Sequence, residues 1–575
     1  MPADKLQKLM RDLPDPESSE RFFIHFSRDF PLDAKKLLKD EGLLSDVLAL
    51  ASFSPLLATT LLQNPAYIFW LKRQRGSQKQ REKEEMLESL ARFAMTNSEI
   101  DTNVLLARFR RRELLRIYLR DIRELGTVAE ITEEISNLAD AVLEYALRIA
   151  THELDNRYGS PFQTDLNERA VRSSICIVAL GKLGSKELNY ASDIDLLFLY
   201  SGEGATAAKG KQTITNREYF VKLAQSVTKI VGGQGGEGAA YRVDSRLRPH
   251  GRVGALAISL NDAENYYKNT ARAWEKQVLI RSRAAAGDPA IFEQFIDSVS
   301  SDIFSVDESV ENALRNARNS KEKIDSEKFA TGGFDVKLGK GGIREIEFIA
   351  QALQIAYGGS DEWIRSPHTL ISLNRLADRK LLSENELTTL YEGYTFLRRL
   401  EHHLQMENGL QTHLVPDDDH RRAKVARKMN FSDLTEFDHQ LEQHSSAVSR
   451  IFIRIFGNET SEPQQTSEDF EIERTEPKNS ATESETISDI NESRSFRSVL
   501  SSLRKFRTDR ELTSESSDLL RAFCRVSPHY AAMIAANPGL IEEFGDESPD
   551  FANYDFKSRL LDSVNSERDF SRKLS

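Results

Sequence analysis

The sequence predicts an α+β protein in which one α/β domain is flanked by predominantly helical domains. Three observations support this fold class. Apolar residues follow helical spacing from about residue 18 to 157, short β-branched runs bounded by glycine occur between 173 and 288, and helical spacing then returns as far as 456. The strands are therefore expected in the middle of the first 456 residues, with helical regions before and after them.

The first predicted element is an N-terminal helical region over residues 1–157. Its clearest segment, Leu105–Leu125, carries Leu, Phe and Ile at steps of three and four residues, with arginines between them. This spacing places the apolar side chains on one face of a helix, which is typical of a helix that packs against a core.

The second predicted element is the α/β domain, over residues 158–330. The runs SSICIVALG, DIDLLFLY and AYRVDSRLR begin at Ser173, Asp193 and Ala240, and each is typical of a short strand. Residues 217–231 have helical spacing. The sequence therefore predicts three strands, with a helix between the second and the third.

The rest of the chain is divided by a change in composition near residue 457. Residues 331–456 are expected to form a helical bundle domain. Residues 457–493 are acidic and poor in apolar side chains, so they are predicted to be a disordered linker, because such a segment cannot bury enough apolar surface to offset its ordering entropy. Helical spacing appears again in residues 494–575.

Two similar segments lie far apart in the chain. SPLLATTLLQNPAYI begins at Ser54 and SPHYAAMIAANPGLI begins at Ser527, with the same spacing between Ser-Pro and Asn-Pro. Two unrelated helices, each with a proline near its start and another just past its end, would also produce this pattern. The equal spacing and the shared Ala, Asn and Ile favour a duplicated unit. Residues 494–575 are therefore expected to be the truncated start of a second helical unit.

Composition excludes several classes of protein. A net charge of -12 and a pI near 5.6 argue against a general nucleic-acid binder, whose binding surface is basic. The only cysteines, Cys176 and Cys524, are far apart, which excludes a disulfide scaffold or a cysteine zinc site. The sequence shows neither a signal peptide nor an apolar run of about 18 residues. We therefore expect a cytoplasmic protein without a membrane or nucleic-acid partner.

A pair of aspartates in the second predicted strand indicates a metal site. Asp193 and Asp195 alternate with Ile194 and Leu196, so both carboxylates face the same side of the strand. An isolated D-x-D usually lies on a solvated edge strand, but the following LLFLY implies that this strand is buried on at least one face. A third acid, Asp244, lies in the third predicted strand. Three carboxylates from neighbouring strands are suited to hold Mg²⁺ together with substrate phosphates.

Residues near these acids indicate phosphate binding. Gly184 and Ser185 end the turn after the first strand, and the backbone N–H groups of such a turn can cradle a phosphate. Arg246 and Arg248 share a strand face with Asp244, and guanidinium groups bind phosphate oxygens in pairs. The two arginines serve equally well as structural partners of nearby acids, so both interpretations of them remain open.

The order of these motifs resembles that of the DNA polymerase β-like nucleotidyltransferase superfamily. More closely, four segments are similar to the bifunctional glutamine synthetase adenylyltransferase/adenylyl-removing enzymes: GKLGSKELNYASDIDLLFLY, RVDSRLRPHGRVGALAISL, YYKNTARAWEKQVLIRSRAAAGD and DVKLGKGGIREIEFIAQ. The segment LRRLEHHLQMENGLQTHLVP is similar to the helical region of that family. The resemblance covers residues 18–456 and, more weakly, 494–575. It implies a polymerase β-like nucleotidyltransferase fold for the α/β domain.

The resemblance also implies an activity. In that family the first half removes AMP from a tyrosine of glutamine synthetase by phosphorolysis, which consumes phosphate and releases ADP, and the second half attaches AMP from ATP. This chain has one complete set of motifs, near its N-terminus, so by position it resembles the removing half. The motifs that match the family contain Asp193, Asp195 and Asp244, so the resemblance implies that these aspartates are the catalytic residues and Mg²⁺ ligands. Ser185 stands where the family commonly has a second glycine.

The sequence leaves two other interpretations open. The core motifs of the two halves are too similar to separate the removing from the attaching direction by chemistry. A non-catalytic docking module for glutamine synthetase and a P-II-type nitrogen signalling protein is an alternative of another class. The three intact aspartates argue against it, because a chain without turnover is expected to lose some of them.

Two further pairs of polar residues are assigned no chemistry. His402 and His403 are adjacent, cannot share a helix face, and are expected at the surface. Glu345 and Glu347 are two residues apart on a predicted helix, so they should point in different directions and not form a carboxylate pair.

Overall fold

The structure is a computed structural model whose described residues all lie in one compact unit, Met1–Glu462. They are 3–75, 79–165, 167–207, 212–235, 238–305, a few positions between 312 and 318, and 333–457. The predicted linker, apart from its first residue, and the predicted second helical unit over 494–575 lie outside the described residues.

The chain begins with a run of helices, as predicted. The proposed first copy of the duplicated segment forms a helix with Pro55 in its first turn, and the Ser54 hydroxyl caps it by accepting the Leu57 N–H at 3.3 Å. The bounds of these helices are α1 (Ala3–Arg11), α2 (Pro16–Asp29), α3 (Pro31–Leu37), α4 (Glu41–Phe53), α5 (Pro55–Gln63), α6 (Ala66–Gln74), α7 (Lys83–Met95), α8 (Thr102–Ile122) and α9 (Val128–Tyr158).

The described strands follow α9 and form two sheets. They are β1 (Ser160–Thr164), β2 (Ala170–Arg172), β3 (Ile175–Leu180), β4 (Ile194–Tyr200), β5 (Gly204–Ala207), β6 (Val243–Asp244), β7 (Ala257–Ser259) and β8 (Arg283–Gly287). In the larger sheet β3 is antiparallel to both β4 and β8, while β4 is parallel to β6 at its start and to β7 at its end. The smaller sheet is antiparallel, in the order β2-β1-β5.

Helices connect these strands and cover the larger sheet. They are α10 (Gly181–Gly184), α11 (Asn216–Gly232), α12 (Leu260–Asn269), α13 (Ala273–Val278) and α14 (Pro289–Ile303). Side chains of β4 alternate between two cores, since Leu196 and Phe198 join the core with α11, whereas Leu197 and Leu199 join the core with α12 and α14. Both faces of the central strands are therefore buried, which explains their nearly continuous apolar sequence.

The C-terminal part of the described chain is helical and has a core of its own. Its helices are α15 (Ile343–Gly358), α16 (Thr369–Asp378), α17 (Glu384–Asn408), α18 (Asp419–Lys428) and α19 (Leu434–Phe456). The α+β class is thus confirmed. Within the described ranges, no helix combines the length and the apolar character needed to cross a bilayer.

Candidate active site

The three predicted aspartates lie at one end of β4 and β6. Asp193 directly precedes β4, Asp195 is its second residue, and Asp244 is the last residue of β6. Parallel pairing places Asp195 opposite Asp244, and strand alternation places Asp193 and Asp195 on one side. The structure therefore brings together the three carboxylates, which we call the aspartate triad.

Asp195 is the central member of the triad. Its burial, together with the charges of Asp244 and Asp193, raises its pKa to about 7, although Lys337 and Arg246 oppose the shift. Gly181 lies directly against it, because a Cβ built at this glycine would be 2.9 Å from the Asp195 Oδ2 atom. Among the described residues none forms an ion pair with Asp195.

Arginines hold the other two members of the triad. Arg242 Nε donates to Asp193 Oδ1 at 2.5 Å and Arg242 Nη2 donates to Gln411 at 2.9 Å. Arg246 donates to Asp244 Oδ2 through Nε at 2.8 Å and Nη2 at 2.5 Å, and these hydrogen bonds lower the pKa of Asp244 against the effect of burial. Both arginine side chains are 61% exposed, so these are surface ion pairs of small net energy.

The donor set of the triad suits Mg²⁺, which binds carboxylate oxygens in proteins. Asp195 is a half-buried carboxylate without a cationic partner, and this uncompensated charge favours a cation. Among the described residues, no group of three or more His, Cys, Asp or Glu side chains is arranged to hold a metal ion. Asp193 and Asp244 are paired with Arg242 and Arg246. A metal ion held by all three carboxylates would have to displace these two arginines.

The predicted phosphate-binding turn is packed in the interior. Gly184 ends the one-turn helix α10, and a Cβ built there would lie 2.0 Å from the Arg281 carbonyl oxygen. Ser185 is 2% exposed, and its hydroxyl accepts from Arg281 Nη2 at 2.9 Å and donates to the Gly181 carbonyl at 3.2 Å. The Ser185 hydroxyl is thus already engaged, and phosphate binding by this turn stays a prediction.

The third predicted strand is much shorter than expected. A strand was predicted over Ala240–Arg248, but β6 spans only Val243–Asp244. Arg248 is buried and donates to the carbonyl oxygens of Ser245, Arg252 and Gly254, which folds the segment into a turn. Arg248 was predicted either to bind phosphate or to pair with nearby acids. In this conformation its role is structural, but its partners are carbonyl oxygens and not acids.

A buried ionic cluster lies next to the triad, and no pattern in the sequence predicts it. Lys182, the residue after Gly181, places Nζ 3.0 Å from Glu401 Oε1, and His413 Nδ1 approaches the same oxygen at 3.0 Å. Burial lowers the pKa of Lys182 to about 7. Burial alone would raise the pKa of Glu401, but Lys182, His413 and Arg398 outweigh it and hold this pKa well below its usual value. Helix α17 is thereby ion-paired with the turn beside Asp195.

The prediction that His402 and His403 lie at the surface is wrong. Both are buried, because α17 packs against different neighbours on adjacent faces. His402 Nδ1 is 2.9 Å from Asp121 Oδ2 of α8, whereas the His403 ring lies 5.4 Å from that of Phe53 in α4. Adjacent residues on a helix point about 100° apart, so each histidine reaches a different part of the core.

The prediction for Glu345 and Glu347 is confirmed. Glu345 Oε2 accepts the Gly341 N–H at 2.9 Å, whereas Glu347 Oε1 pairs with Arg281 Nη1 at 3.1 Å. The two carboxylates therefore face different partners and do not form a pair.

Lys337 is a candidate functional residue to which the sequence assigned no role. It lies in the segment that precedes α15, is half-buried, and its charge acts on Asp195, Lys182 and Glu347. The segment is fixed by hydrogen bonds from the Lys337 N–H to Asp335 Oδ1 and from the Val336 N–H to the His413 carbonyl, both at 2.9 Å. A cation beside the triad is suited to bind a substrate phosphate.

Two protein-family models match the chain. The model of glutamate-ammonia ligase adenylyltransferase matches residues 44–298, which include the aspartate triad. The model of PII-uridylyltransferase matches residues 309–456, which include Lys337 and α17.

Curated relatives agree with the first of these matches. The chain is 34% identical over 418 residues to the bifunctional glutamine synthetase adenylyltransferase/adenylyl-removing enzyme of Nitrosococcus oceani, and the match covers 70% of this chain and 41% of the relative. The enzyme of the same name from Hahella chejuensis is 32% identical over 435 residues, with 75% and 44% covered. That from Nitrosomonas europaea is 34% identical over 397 residues, with 66% and 41% covered.

The matches cover most of this chain but less than half of each relative. The chain spans about two fifths of the length of these curated relatives. By the matching family model, residues 44–298 belong to the glutamate-ammonia ligase adenylyltransferase family, and the chain is similar over most of its length to these relatives.

Proposed function

We propose that this chain removes AMP from an adenylylated tyrosine of glutamine synthetase by phosphorolysis. The observation that carries the proposal is the convergence of Asp193, Asp195 and Asp244 at the ends of β4 and β6, within the region that matches the adenylyltransferase family model. The removing direction rests on the order of the segments, because the complete motif set precedes the segment predicted to begin a second helical unit. We also propose that a P-II-type protein regulates the chain, on the basis of the family resemblance. A cytoplasmic location is proposed from the composition.

The triad is the proposed site of Mg²⁺, held by Asp193, Asp195 and Asp244. When bound, the ion supplies polarisation of the phosphoryl oxygens and neutralises developing charge. Arg242 and Arg246 then lose their carboxylate partners, and their guanidinium groups become available to the phosphate oxygens of the substrate. Lys337 adds a third positive charge near Asp195.

The reaction places few demands on proton transfer. A phosphate oxygen attacks the phosphorus of the adenylyl group, the bond from phosphorus to the tyrosine oxygen breaks, and the tyrosine oxygen takes a proton from solvent. Inorganic phosphate is already anionic near pH 7, so the protein needs no strong general base. The attaching direction differs, because the tyrosine hydroxyl must lose its proton and an aspartate of the triad would assist.

Two reactions in parallel test the proposal, each with Mg²⁺ and the full chain. One contains adenylylated glutamine synthetase and phosphate and is scored for ADP; the other contains unmodified glutamine synthetase and ATP and is scored for AMP on tyrosine. ADP in the first reaction alone supports the proposal. Labelled tyrosine alone reverses the direction. No product in either, with binding to glutamine synthetase intact, identifies a docking module.

The triad itself is tested by Asp195→Asn. The substitution removes the uncompensated carboxylate, so Mg²⁺ affinity should fall by at least about tenfold and the active direction should slow by about a hundredfold or more. Mg²⁺ binding is measured by isothermal titration calorimetry. Asp297→Asn, an exposed change on α14, is the matched control and should leave both quantities unchanged. Unaltered Mg²⁺ binding in Asp195→Asn would count against a catalytic triad.

A further inference from the structure

A cleft in the N-terminal helical region is separate from the aspartate triad. It is lined by residues of α6, α7 and α8 and has a volume of about 480 Å³, which lies within the range of small-molecule sites. The described residues that line it include Trp70, Arg73, Arg81, Arg92, Phe93 and Arg112. The cleft shares none of its described lining residues with the triad.

The buried side of the cleft belongs to an ionic cluster in which arginines outnumber carboxylates. Four arginines, Arg81, Arg112, Arg116 and Arg120, share two carboxylates, Glu113 and Glu134. Both glutamates are fully buried. Burial and the charge of Arg116 lower the pKa of Arg81, although Glu113 opposes the shift. Because an uncompensated buried charge is costly, this excess of two positive charges favours a dianion nearby.

Arg112 carries part of this excess charge to the cleft. Its guanidinium carbon lies 4.7 Å from the centre of the Trp70 ring and 4.4 Å from that of Phe93, so cation–π contacts hold it in place. The side chain is only 12% exposed, and its ion-pair partner among the described residues is Glu113, at 3.2 Å. Since Arg81 pairs with the same glutamate, neither arginine has a full counter-charge.

Two acids also line the cleft, but each already accepts a hydrogen bond. Glu88 Oε2 accepts from Arg92 Nη1 at 3.4 Å. Glu85 Oε2 accepts the Glu82 N–H at 3.1 Å and thereby caps α7. These carboxylates are exposed, so they do little to neutralise the buried arginines.

Two exposed arginines complete the cleft. Arg73 of α6 and Arg92 of α7 line it, and we call them the rim arginines. Arg73 forms no ion pair among the described residues, and its charge acts on the Arg112 guanidinium. Guanidinium groups bind carboxylate and phosphate oxygens in pairs, so an anion in the cleft can be held from both its rim and its buried side.

We propose that this cleft binds a small organic dianion whose oxygens belong to two carboxylates or to a phosphate group. The inference goes beyond the proposed function, because the site lies outside the triad and takes no part in the transfer of AMP. The competing interpretation is that the arginines only hold α6, α7 and α8 together. That interpretation accounts for the aromatic contacts of Arg112 but not for the unpaired Arg73.

Trp70 supplies a local signal for binding. The chain has three tryptophans, of which Trp274 and Trp363 are exposed. The full chain carrying Trp274→Phe and Trp363→Phe therefore keeps one tryptophan, in the wall of the cleft. Its fluorescence is titrated in separate experiments with sulfate, succinate and chloride at constant ionic strength. We expect a saturable change with sulfate or succinate and none with chloride.

The rim arginines provide the variants. Arg73→Gln and Arg92→Gln, made in the same background, each remove a positive charge from the cleft at an exposed position and leave the buried cluster intact. The dissociation constant for the dianion should rise by about fivefold or more, because a charge-assisted hydrogen bond is lost. Arg21→Gln, at an exposed position of α2 that does not line the cleft, is the matched control and should bind as the background chain does.

The choice of dianion identifies the ligand class. Binding of sulfate alone indicates a phosphate group, binding of succinate alone indicates two carboxylates, and either result supports the site when both rim variants bind more weakly. No saturable change with either dianion overturns it, as does an equal response to chloride. Equal dissociation constants in the rim variants and the control also overturn it. None of these outcomes depends on the removal of AMP, so the site and the proposed function can fail independently.

Discussion

Single side chains decide which groups of the site are available to ligands. Asp193 and Asp244 each hold an exposed arginine, whereas Asp195 has no ion pair among the described residues. An exposed ion pair contributes little net energy, about 0 to 1 kcal/mol, so its partners are readily exchanged. A cation bound by the acids and a phosphate bound by the arginines would replace two weak pairs with two stronger contacts.

The first prediction at this scale concerns Lys337. Lys337→Met removes a half-buried cation beside Asp195 while it keeps most of the side-chain volume. Under the proposed function, the KM for phosphate should rise by about tenfold, because a hydrogen bond to a charged group contributes roughly 1.5–3 kcal/mol. The reaction is followed by ADP release at varied phosphate. Lys340→Met, at an exposed position of the same segment, is the control and should leave this KM unchanged. Equal KM values in both variants would remove Lys337 from the site.

The second residue-scale prediction uses the pH dependence of stability. Burial lowers the pKa of His403 to about 3, with Asp121 opposing the shift. A histidine in the unfolded chain has a pKa of about 6.5, so the unfolded state binds the proton first and stability falls as the pH decreases from about 6.5 towards 3. Between pH 7 and pH 5 this one group should cost about 2 kcal/mol of the free energy of unfolding.

His403→Phe should remove that loss, because phenylalanine does not titrate and keeps the aromatic contact with Phe53. The measurement is urea unfolding of the variant and the unaltered chain at both pH values. Replacing the exposed His420 with Phe should leave the pH dependence as it is in the unaltered chain. A variant that loses as much stability between pH 7 and pH 5 as the unaltered chain would show that His403 is not the group responsible.

Strand periodicity explains why the triad was predictable while other site residues were not. The alternation around Asp195 fixes which side chains share a face, and this information is local. Ser185 meets Arg281 and His402 meets Asp121 only through tertiary packing, across separations of 96 and 281 residues. Such partners leave no periodic signal, so the burial of these residues could not be predicted from the sequence.

Helix α17 connects the C-terminal helices to the α/β domain and to α8. Its Arg398 Nη2 donates to the Glu187 carbonyl at 2.6 Å, its Tyr394 hydroxyl donates to Glu187 Oε1 at 3.0 Å, and its His402 approaches Asp121 of α8. Glu401 completes the set by pairing with Lys182. Polar side chains of α17 are therefore buried against neighbouring elements, whereas their polarity alone would predict that they face solvent.

The prediction at the element scale is that Glu401→Gln destabilises the fold. Glu401 is fully buried, so its loss of charge leaves Lys182 without a counter-charge, and the free energy of unfolding should fall by about 3 kcal/mol. Glu392→Gln, at an exposed position of the same helix, should change this quantity by less than about 0.5 kcal/mol. Chemical unfolding at pH 7 measures both. If the two variants are equally stable, the buried pair does not support the junction of α17 with the α/β domain.

The positions of strands rich in apolar residues were predicted correctly, whereas the extent of a strand with few apolar residues was not. Strands β3 and β4 are nearly continuous apolar runs covered on both faces, and they lie where the sequence predicts them. The segment around Asp244 has few apolar residues, and its course is set by hydrogen bonds from Arg248 to carbonyl oxygens of the following turn. Those hydrogen bonds depend on the three-dimensional course of the backbone, which strand propensity does not encode.

At the scale of the whole molecule, the described parts belong to one compact unit, Met1–Glu462. The division into domains over residues 1–157, 158–330 and 331–456 stays a prediction. The ion pair of Lys182 with Glu401 and the hydrogen bond of Asp121 with His402 cross the predicted boundaries. Composition marks linkers, but it carries no signal for interfaces made of buried polar side chains.

This organisation predicts where a protease cuts the chain first. The described helices and strands bury extensive apolar cores, whereas the predicted linker over residues 457–493 lacks the apolar residues to form one. Limited proteolysis with Glu-specific protease should therefore release a stable fragment that ends within 457–493, with the predicted boundaries near 157 and 330 cut later. Mass spectrometry of the early products identifies the sites. A first cut near residue 157 would show that the N-terminal helices are a separate domain, and that the contacts of α17 do not hold the unit together.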